Sequence, residues 1–383
     1  MQLWKMELRR LLDRPVLNLG LLMILAFQVL LFCTEVSNLQ TEIDGNIYRG
    51  AAAVQADKEL VQEYKGILTM EKVEDIIGRF GFSGYAGGRE GGPRVREGNF
   101  CSRWVTDCLT DFYQTREKPT ALVKGKFWNE HGKYYLESQV RFEYTGGWTN
   151  FHSTWSWSVL ILNVWLVLMA VPVFSEEYGR KTVQLLLTTV HGRWKDIWAK
   201  IAAVFALGIA AYLLVTGLLL CMTAEVYGIE SLEASAGMFD YRALFTEGGS
   251  MTVLEHLLLT FGAKLAAVCL NLCITLFVSS KCRSTVLAAV LRLIALYPLA
   301  WLINEVVYSM LFQMVCDNGM IHELWVWLTM DVLGIACFST TYYLSWSAFI
   351  GTPSYWPAVL VCVLASVMAG CIWRAVVNYR QGQ

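Results

Sequence analysis

Long apolar stretches separated by short charged segments dominate the pattern of this chain. An α-helix needs about 20 apolar residues to cross the hydrocarbon core of a bilayer, and six stretches are suited to that task. The first two occupy 16–33 and 155–174, and the others are Ile201–Ala224, Leu254–Ser279, Thr285 to about Val307, and Trp356–Val377. The pattern therefore predicts an all-α polytopic membrane protein with six transmembrane helices.

A further apolar stretch, Glu323–Ile350, is long enough to cross the bilayer as well. Asp331 lies near its middle, and the sequence GTPSYWP that follows predicts a turn. Backbone that does not span is permitted at membrane depth where protein buries it. We therefore expect re-entrant helices in an outer region over 314–355, before the sixth span, with a seventh crossing as the open alternative.

The large hydrophilic region of the chain covers 34–154. Helical periodicity in its first part, the glycine-rich loop GFSGYAGGREGGPR and a hairpin-like pattern toward its end predict a small α/β domain. A region of this size is long enough to form its own core. We expect it to fold outside the cytoplasm, between the first and second spans.

Composition agrees with a membrane protein, because 55% of the residues are hydrophobic, 16% are charged and the mean hydropathy is +0.43. Average soluble domains contain roughly 25% charged residues. The formal net charge is -1, and no run of Lys and Arg accompanies the aromatic residues as it would in a nucleic-acid-binding surface. Nucleic acid is therefore excluded as a partner.

Basic residues are distributed unequally among the predicted loops. The segments at one side of the six spans carry many Lys and Arg residues, whereas the short loops at the other side carry only Arg242. Short cytoplasmic loops accumulate Lys and Arg. This asymmetry predicts a multi-pass protein with both termini in the cytoplasm. We expect its membrane to be a bacterial plasma membrane.

A charged, amphipathic segment lies between the second and third spans, with the sequence FSEEYGRKTVQLLLTTVHGRWKDIWAK from Phe174 to Lys200. Its apolar residues recur with a helical period, and most of its charges lie off that stripe. It fits either a helix on the inner leaflet or a docking helix for a cytoplasmic protein. Glu176 and Glu177 favour a protein partner, because anionic lipid would repel them.

The same segment resembles the signature between the second and third spans of type-2 ABC exporter permeases, through its acidic residues, YGRK, LLLTT and the basic residues that follow. The N-terminal sequence WKMELRRLLDRP, within 1–15, resembles the cytoplasmic amphipathic helix that precedes the first span in that family. The resemblance implies cytoplasmic coupling helices over 175–200, followed by spans three to six within 201–383. Residues implied in docking the ATPase are Glu176, Glu177, Gly179, Arg180, Lys181, Arg193 and Lys200.

The resemblance also implies partners. It implies an ABC transporter permease that exports a peptide, drug-like or lipid-like substrate, paired with a second permease that is identical or homologous, and with two copies of an ATP-binding subunit. The chain contains no G-x-x-x-x-G-K-[ST] motif, and its nearest string, GRKT, lacks the upstream glycine. ATP and Mg are therefore expected on the partner, and we expect this chain to bind no cofactor and to be no enzyme.

Two other functions are compatible with parts of the sequence. The string EEYGRK approximates a motif of a membrane-embedded metallopeptidase family, but only His256 and His322 follow it, and HELWV lacks the second histidine of H-E-x-x-H. No CxxC pair is present, so no metal site is expected. A membrane sensor whose external domain binds a ligand is the remaining alternative.

Ionisable and polar residues within predicted spans suggest a substrate path, because such groups are costly in the membrane and usually face protein or water. These residues are Lys264, Asn271, Arg292 and Glu305. For Arg292 a side chain that reaches the inner surface is the alternative. Cys316 and Cys337 share the last outer loop and could form a disulfide, whereas Cys101 and Cys108 lie too far apart if one helix holds both.

Overall fold

The computed structural model describes residues 2–86, 95–110, 132–180, 194–239, 251–296 and 356–381, together with Thr182 and Thr188. The chain is mostly helical with small sheets. Five stretches of helix within these residues are long and apolar enough to cross a membrane. The protein is therefore a multi-pass membrane protein, and the count of six spans stays a prediction.

The described helices are numbered here in chain order. They are α1 (Gln2–Leu12), α2 (Pro15–Asn38), α3 (Ala51–Tyr64), α4 (Met70–Phe80), α5 (Phe100–Leu109), α6 (Gly132–Glu137), α7 (Gly146–Ala170), α8 (Pro172–Gly179), α9 (Lys195–Tyr227), α10 (Val253–Lys281), α11 (Thr285–Leu296) and α12 (Trp356–Gln381). The strands are β1 (Gln40–Ile43), β2 (Asn46–Arg49), β3 (Gly66–Ile67), β4 (Tyr85–Ala86), β5 (Val95–Arg96) and β6 (Arg141–Phe142).

The chain divides into two compact units. The helical unit comprises Met1–Gln28, Trp155–Leu218 and Thr260–Gln383, and the α/β unit comprises Val29–Thr154 and Leu219–Leu259. The boundary at Thr154 coincides with the end expected for the hydrophilic domain. The α/β unit also takes up residues 219–259, which the hydrophobic pattern alone had divided between two spans and a loop.

Within the helical unit, α7 and α10 run parallel and are joined at intervals of two turns. Lys264 contacts Ser156, Asn271 contacts Asn163, and the Ser279 hydroxyl contacts the carbonyl oxygen of Val171. All three pairs are 108 residues apart in the chain. Residues spaced by seven or eight lie on one face of a helix, so one polar face of α10 follows α7 over much of its length.

Proline produces the interruption between α7 and α8. Pro172 has no N–H to donate to the preceding turn. The Ser279 hydroxyl on α10 accepts hydrogen bonds from the N–H groups of Phe174 (3.1 Å) and Ser175 (3.2 Å) and donates one to the Val171 carbonyl (2.5 Å). A neighbouring helix thus satisfies the backbone groups that the break exposes, as a membrane interior requires.

Within its described residues, the α/β unit has three antiparallel two-stranded sheets, in which β1 pairs with β2, β3 with β6 and β4 with β5. Its core includes the buried side chains of Val61, Val73, Ile76, Val105, Tyr135 and Phe142. Helical periodicity predicted helical structure over 51–80, before the glycine-rich loop. The structure has two helices there, because Gly66 adopts a φ of +106°, which favours glycine, and starts β3 between them.

Several predictions about the outer part of the chain lie outside the described residues. These are the region 314–355, the hypothetical seventh crossing, Glu305, and the pair Cys316 and Cys337. The fifth predicted span is described from Thr285 to Leu296, where α11 ends. The first span is longer than predicted, since α2 continues to Asn38. Cys101 and Cys108 do share one helix, α5.

Candidate functional site

A cluster of charged side chains joins four helices of the helical unit. We call it the charged cluster, and its members are Glu7, Arg10, Arg14, Glu176, Glu177, Arg180, Asp196, Lys200 and Tyr379. Four members are acidic and four are basic, so their formal charges cancel. Such a balance is what allows ionised groups to be withdrawn from water.

Lys200 and Glu177 form the centre of the charged cluster. The Lys200 ammonium donates to both carboxylate oxygens of Glu177, at 2.7 and 2.8 Å, and to Asp196 Oδ2 at 2.6 Å. The exposed fraction is 1% for Lys200 and 5% for Glu177. Because an ammonium has three protons, these three acceptors satisfy it fully.

Local sequence places the members of this centre. Asp196 and Lys200 are four residues apart at the start of α9, where neighbouring side chains meet on one helix face. Asp196 in the first turn is also favoured by the helix dipole. Glu177 comes from α8, which the break at Pro172 separates from α7. The break at Pro172 therefore makes α8 a separate short helix, and α8 places the Glu177 carboxylate next to Lys200.

Tyr379 brings the last helix, α12, into the charged cluster. Its hydroxyl donates to Glu177 Oε2. Its ring centre lies 4.9 Å from that of Phe174, 5.8 Å from that of Tyr178 and 5.3 Å from the Lys200 ammonium. Aromatic packing thus fixes the ring while its hydroxyl holds the carboxylate.

The N-terminal helix α1 joins the outer side of the charged cluster. Arg14 Nη2 lies 2.7 Å from Glu176 Oε2, and Arg10 Nη1 lies 3.4 Å from Glu177 Oε1. Glu7 lies 3.6 Å from Arg10. Burial raises the pKa of Glu7, and its basic neighbours Lys200 and Arg10 oppose that change. These contacts attach α1 to α8 by its ionised side.

The structure brings together only some of the residues predicted for docking. Glu176, Glu177 and Lys200 meet, while Gly179 and Arg180 are exposed at the end of α8. Lys181 and Arg193 lie outside the described residues. Glu177 and Lys200 were expected to face a partner, but the structure buries both inside the chain. The docking role of the segment stays a prediction, with Glu176 and Arg180 as its accessible members.

Sequence reasoning did not assign Asp196 or Tyr379 to the site. The spacing of four between Asp196 and Lys200 was an available signal. No local signal existed for Tyr379, which is 202 residues from Glu177. Arg10, on α1, and Arg14, just beyond its end, contributed to the prediction only as part of the basic charge that orients the protein in the membrane. The spacing of four between them was an available signal that they point the same way.

The residues predicted for a substrate path lie deeper in the helical unit. Lys264 on α10 is 1% exposed, and its ammonium donates to Ser156 Oγ at 2.8 Å and lies 4.7 Å from the ring centre of Trp155. The rings of Tyr212 and Phe261 pack beside Trp155. The Lys264 ammonium is therefore buried beside a hydroxyl acceptor and the face of an aromatic ring.

Arg292 and Asn271 belong to a second polar network. Arg292 Nη2 donates to Asn271 Oδ1 at 2.7 Å, and its Nε donates to Thr275 Oγ1 at 3.2 Å. Asn271 Nδ2 in turn donates to Asn163 Oδ1 at 2.8 Å. Arg292 is buried, so its guanidinium crosslinks α11 to α10 and, through Asn271, to α7 instead of reaching the membrane surface.

Comparison with known protein families and with curated protein sequences finds no match to this chain. Across the residues that the structure describes, no group of three His, Cys, Asp or Glu side chains is placed to hold a metal ion. The site must therefore be interpreted from its own geometry.

Proposed function

We propose that this chain is the permease subunit of an ATP-driven ABC transporter that exports a peptide, drug-like or lipid-like substrate across the plasma membrane. The observation that supports this function is the charged cluster, which ties the segment after the second span to α1, α9 and α12. In this proposal both termini and the charged cluster lie in or next to the cytoplasm.

The hydrogen bonds and ion pairs of Glu177 can transmit a displacement of α8 to the helices that α8 contacts. Removing one partner from a buried ion pair costs about 3–5 kcal/mol. A subunit that displaces the 175–200 segment would therefore move α8, α9 and α12 together more easily than it would separate them. We assign the contact with the ATPase to the exposed end of α8, including Glu176 and Arg180, and the transmission of movement to Glu177 and Lys200.

The proposed function requires other subunits. Two ATP-binding subunits would supply ATP and Mg, and a second permease, identical or homologous, would complete the transporter. The polar contacts along α7 and α10 lead from Lys264 to Asn271 and Arg292. They are our candidates for the substrate path, together with Glu305.

A reconstituted complex tests the proposal. The chain would be coexpressed with candidate ABC ATP-binding subunits, and ATP hydrolysis would be compared for each subunit alone, the complex, and complexes carrying Glu176→Lys or Glu177→Gln. We expect the permease to change the rate of hydrolysis and both variants to lose that change. Glu63→Gln, an exposed carboxylate of the α/β unit, is the control and should behave as wild type.

The two variants also separate contact from transmission. Glu176→Lys should weaken assembly with the ATP-binding subunit, whereas Glu177→Gln should assemble and fail to respond. Failure of the wild-type chain to assemble with any ATP-binding subunit would contradict the transporter function. A response to a ligand of the α/β unit without ATP hydrolysis would instead support a membrane sensor.

A further inference from the structure

The N-terminal helix α1 turns some of its charged side chains toward the protein and leaves some of its apolar ones exposed, although Leu11 is buried. A helix that packs on a protein core normally buries its apolar stripe and exposes its charges. In α1 the side chains that face the helical unit include Glu7 and Arg10, and these enter the charged cluster together with Arg14, which lies just beyond the end of α1. Trp4 and Leu12 remain exposed, at 36% and 44%. Contact with an apolar medium would therefore remove these exposed apolar side chains from water.

The outer face of α1 has two parallel rows. Trp4, Leu8 and Leu12 follow one another at intervals of four, so they form one stripe along the helix. Lys5 and Arg9 form a second row beside it, and the Arg9 side chain is 84% exposed. Apolar residues next to basic ones are the pattern of a helix that lies in a membrane interface.

The chain places α1 at the level of such an interface. It ends at Leu12, and α2, which is long and apolar enough to span, begins at Pro15. Tryptophan is enriched where a membrane meets water, because its ring is apolar and its N–H is polar. The stripe can thus enter the acyl region while Lys5 and Arg9 reach the phosphates of the head groups.

Two neighbouring helices present the same chemistry. Trp194 and Trp198 are exposed at the beginning of α9, Lys195 is exposed between them, and the Arg380 guanidinium of α12 lies 4.4 Å from the ring centre of Trp194. Helices α9 and α12 meet α1 at the charged cluster. The surface around the charged cluster therefore combines exposed tryptophans with basic side chains.

We infer that this surface, with the outer face of α1 at its centre, binds the head groups and upper acyl chains of anionic phospholipid. This surface carries four exposed basic residues, Lys5, Arg9, Lys195 and Arg380, and one exposed acid next to α1, Asp13, which follows the end of the helix. Each basic residue near an anionic leaflet strengthens binding. The outer face of α1 would then contact lipid, while its inner face contacts the charged cluster. The inference does not depend on the proposed transport function.

Photo-crosslinking at two adjacent positions tests the contact. A photoreactive amino acid would replace Leu12, which is exposed, or Leu11, which is 4% exposed, in protein reconstituted into phosphatidylcholine vesicles containing phosphatidylglycerol. We expect lipid adducts at position 12, enriched in phosphatidylglycerol over its share in the vesicle, and adducts within the chain at position 11. Protein adducts at position 12 would overturn the inference, as would lipid adducts without enrichment.

Charge neutralisation tests the selection of anionic lipid. Lys5→Gln with Arg9→Gln should reduce the preference of the purified protein for phosphatidylglycerol over phosphatidylcholine by about thirty-fold, from the usual contribution of two basic residues. Native mass spectrometry of lipid-bound protein would measure this preference. The matched control is Lys281→Gln with Arg283→Gln, two exposed basic residues at the end of α10 and just beyond it. An equal loss in the control, or none in the α1 variant, would contradict the assignment to α1.

Discussion

Each of the two units buries charge, but the two arrangements differ in what they connect. In the α/β unit, Asp57 pairs with Arg103 at 3.0 Å, and its other oxygen accepts from the Thr41 hydroxyl and the Phe100 N–H. In the helical unit, Lys200 is shared between Glu177 and Asp196, and arginines from α1 approach from outside. The first arrangement is a closed pair, whereas the second is a junction of four helices.

The difference shows that buried charge alone does not indicate function. Burial raises the pKa of Asp57 and lowers that of Arg103, which means that each charge is costly to bury even beside its partner. That pair fixes the position of α3 against α5 and closes on itself. The charged cluster extends to exposed residues at the end of α8. A displacement of the end of α8 would therefore be transmitted through the charged cluster to the other helices. Substitutions that remove the ion pairs of each unit in turn test this difference.

The largest effect is expected from Lys200→Met. This variant leaves the buried carboxylates of Glu177 and Asp196 without their ammonium, which should cost about 3–5 kcal/mol. The apparent unfolding temperature in detergent would measure the loss. The triple variant Lys200→Met with Glu177→Gln and Asp196→Asn removes all three charges and should recover part of the stability. A single variant as stable as wild type would show that the cluster is not ionised as described.

Asp57→Asn should have a smaller effect that stays within the α/β unit. The amide oxygen can still accept from Thr41 and Phe100, but Arg103 loses its opposite charge, so about 1.5–3 kcal/mol should be lost. Hydrogen–deuterium exchange should increase in α3 and α5 and stay unchanged in α8. An equal increase in α8 would contradict the distinction between a closed pair and a junction.

The sequence was informative about these regions to different degrees. Each described helix of membrane length overlaps an apolar stretch found in the sequence, because an apolar helix of that length has few alternatives, but α7 begins at Gly146, well before the predicted start of the second span. Lys264 and Asn271 were predicted only as polar residues of a span, and both contact α7. Spacing alone could not reveal which side of α1 faces the protein. That depends on Glu176 and Glu177, which are more than 150 residues away.

Long-range polar contacts were the part that could not be predicted. The position of Tyr379 depends on the packing of α12 against α8, and a single tyrosine near the end of an apolar helix carries no periodic signal. The split of the predicted helical segment at Gly66 is similar, since it results from pairing of β3 with β6, which lies about 75 residues later. Tertiary partners, rather than local preference, decided both outcomes.

Tyr379→Phe tests whether the last helix belongs to the junction. The variant keeps the ring packed against Phe174 and Tyr178 but removes the hydroxyl that donates to Glu177. We expect a loss of about 1.5 kcal/mol in stability, together with faster hydrogen exchange in α8. Tyr212→Phe is the matched control, because it removes a buried hydroxyl bonded to the Phe261 carbonyl in the same unit. This control should lower stability without changing hydrogen exchange in α8. Faster exchange in α8 in both variants would contradict a specific role for the Tyr379 hydroxyl.

The smallest effect concerns the pH dependence that Glu7 contributes. Because burial raises the pKa of Glu7 above its ordinary value of 4.5, the folded protein holds this proton more tightly than the unfolded chain does. The contribution of Glu7 to stability is therefore complete below pH 4.5 and is lost as the pH rises through the raised pKa. Glu7→Gln cannot lose a proton, so its apparent unfolding temperature should fall less than that of wild type over this rise in pH. If the apparent unfolding temperature of Glu7→Gln instead fell more steeply than that of wild type, the ion pair with Arg10 would outweigh the effect of burial. Ion pairs would then stabilise the outer side of the charged cluster as they stabilise its centre.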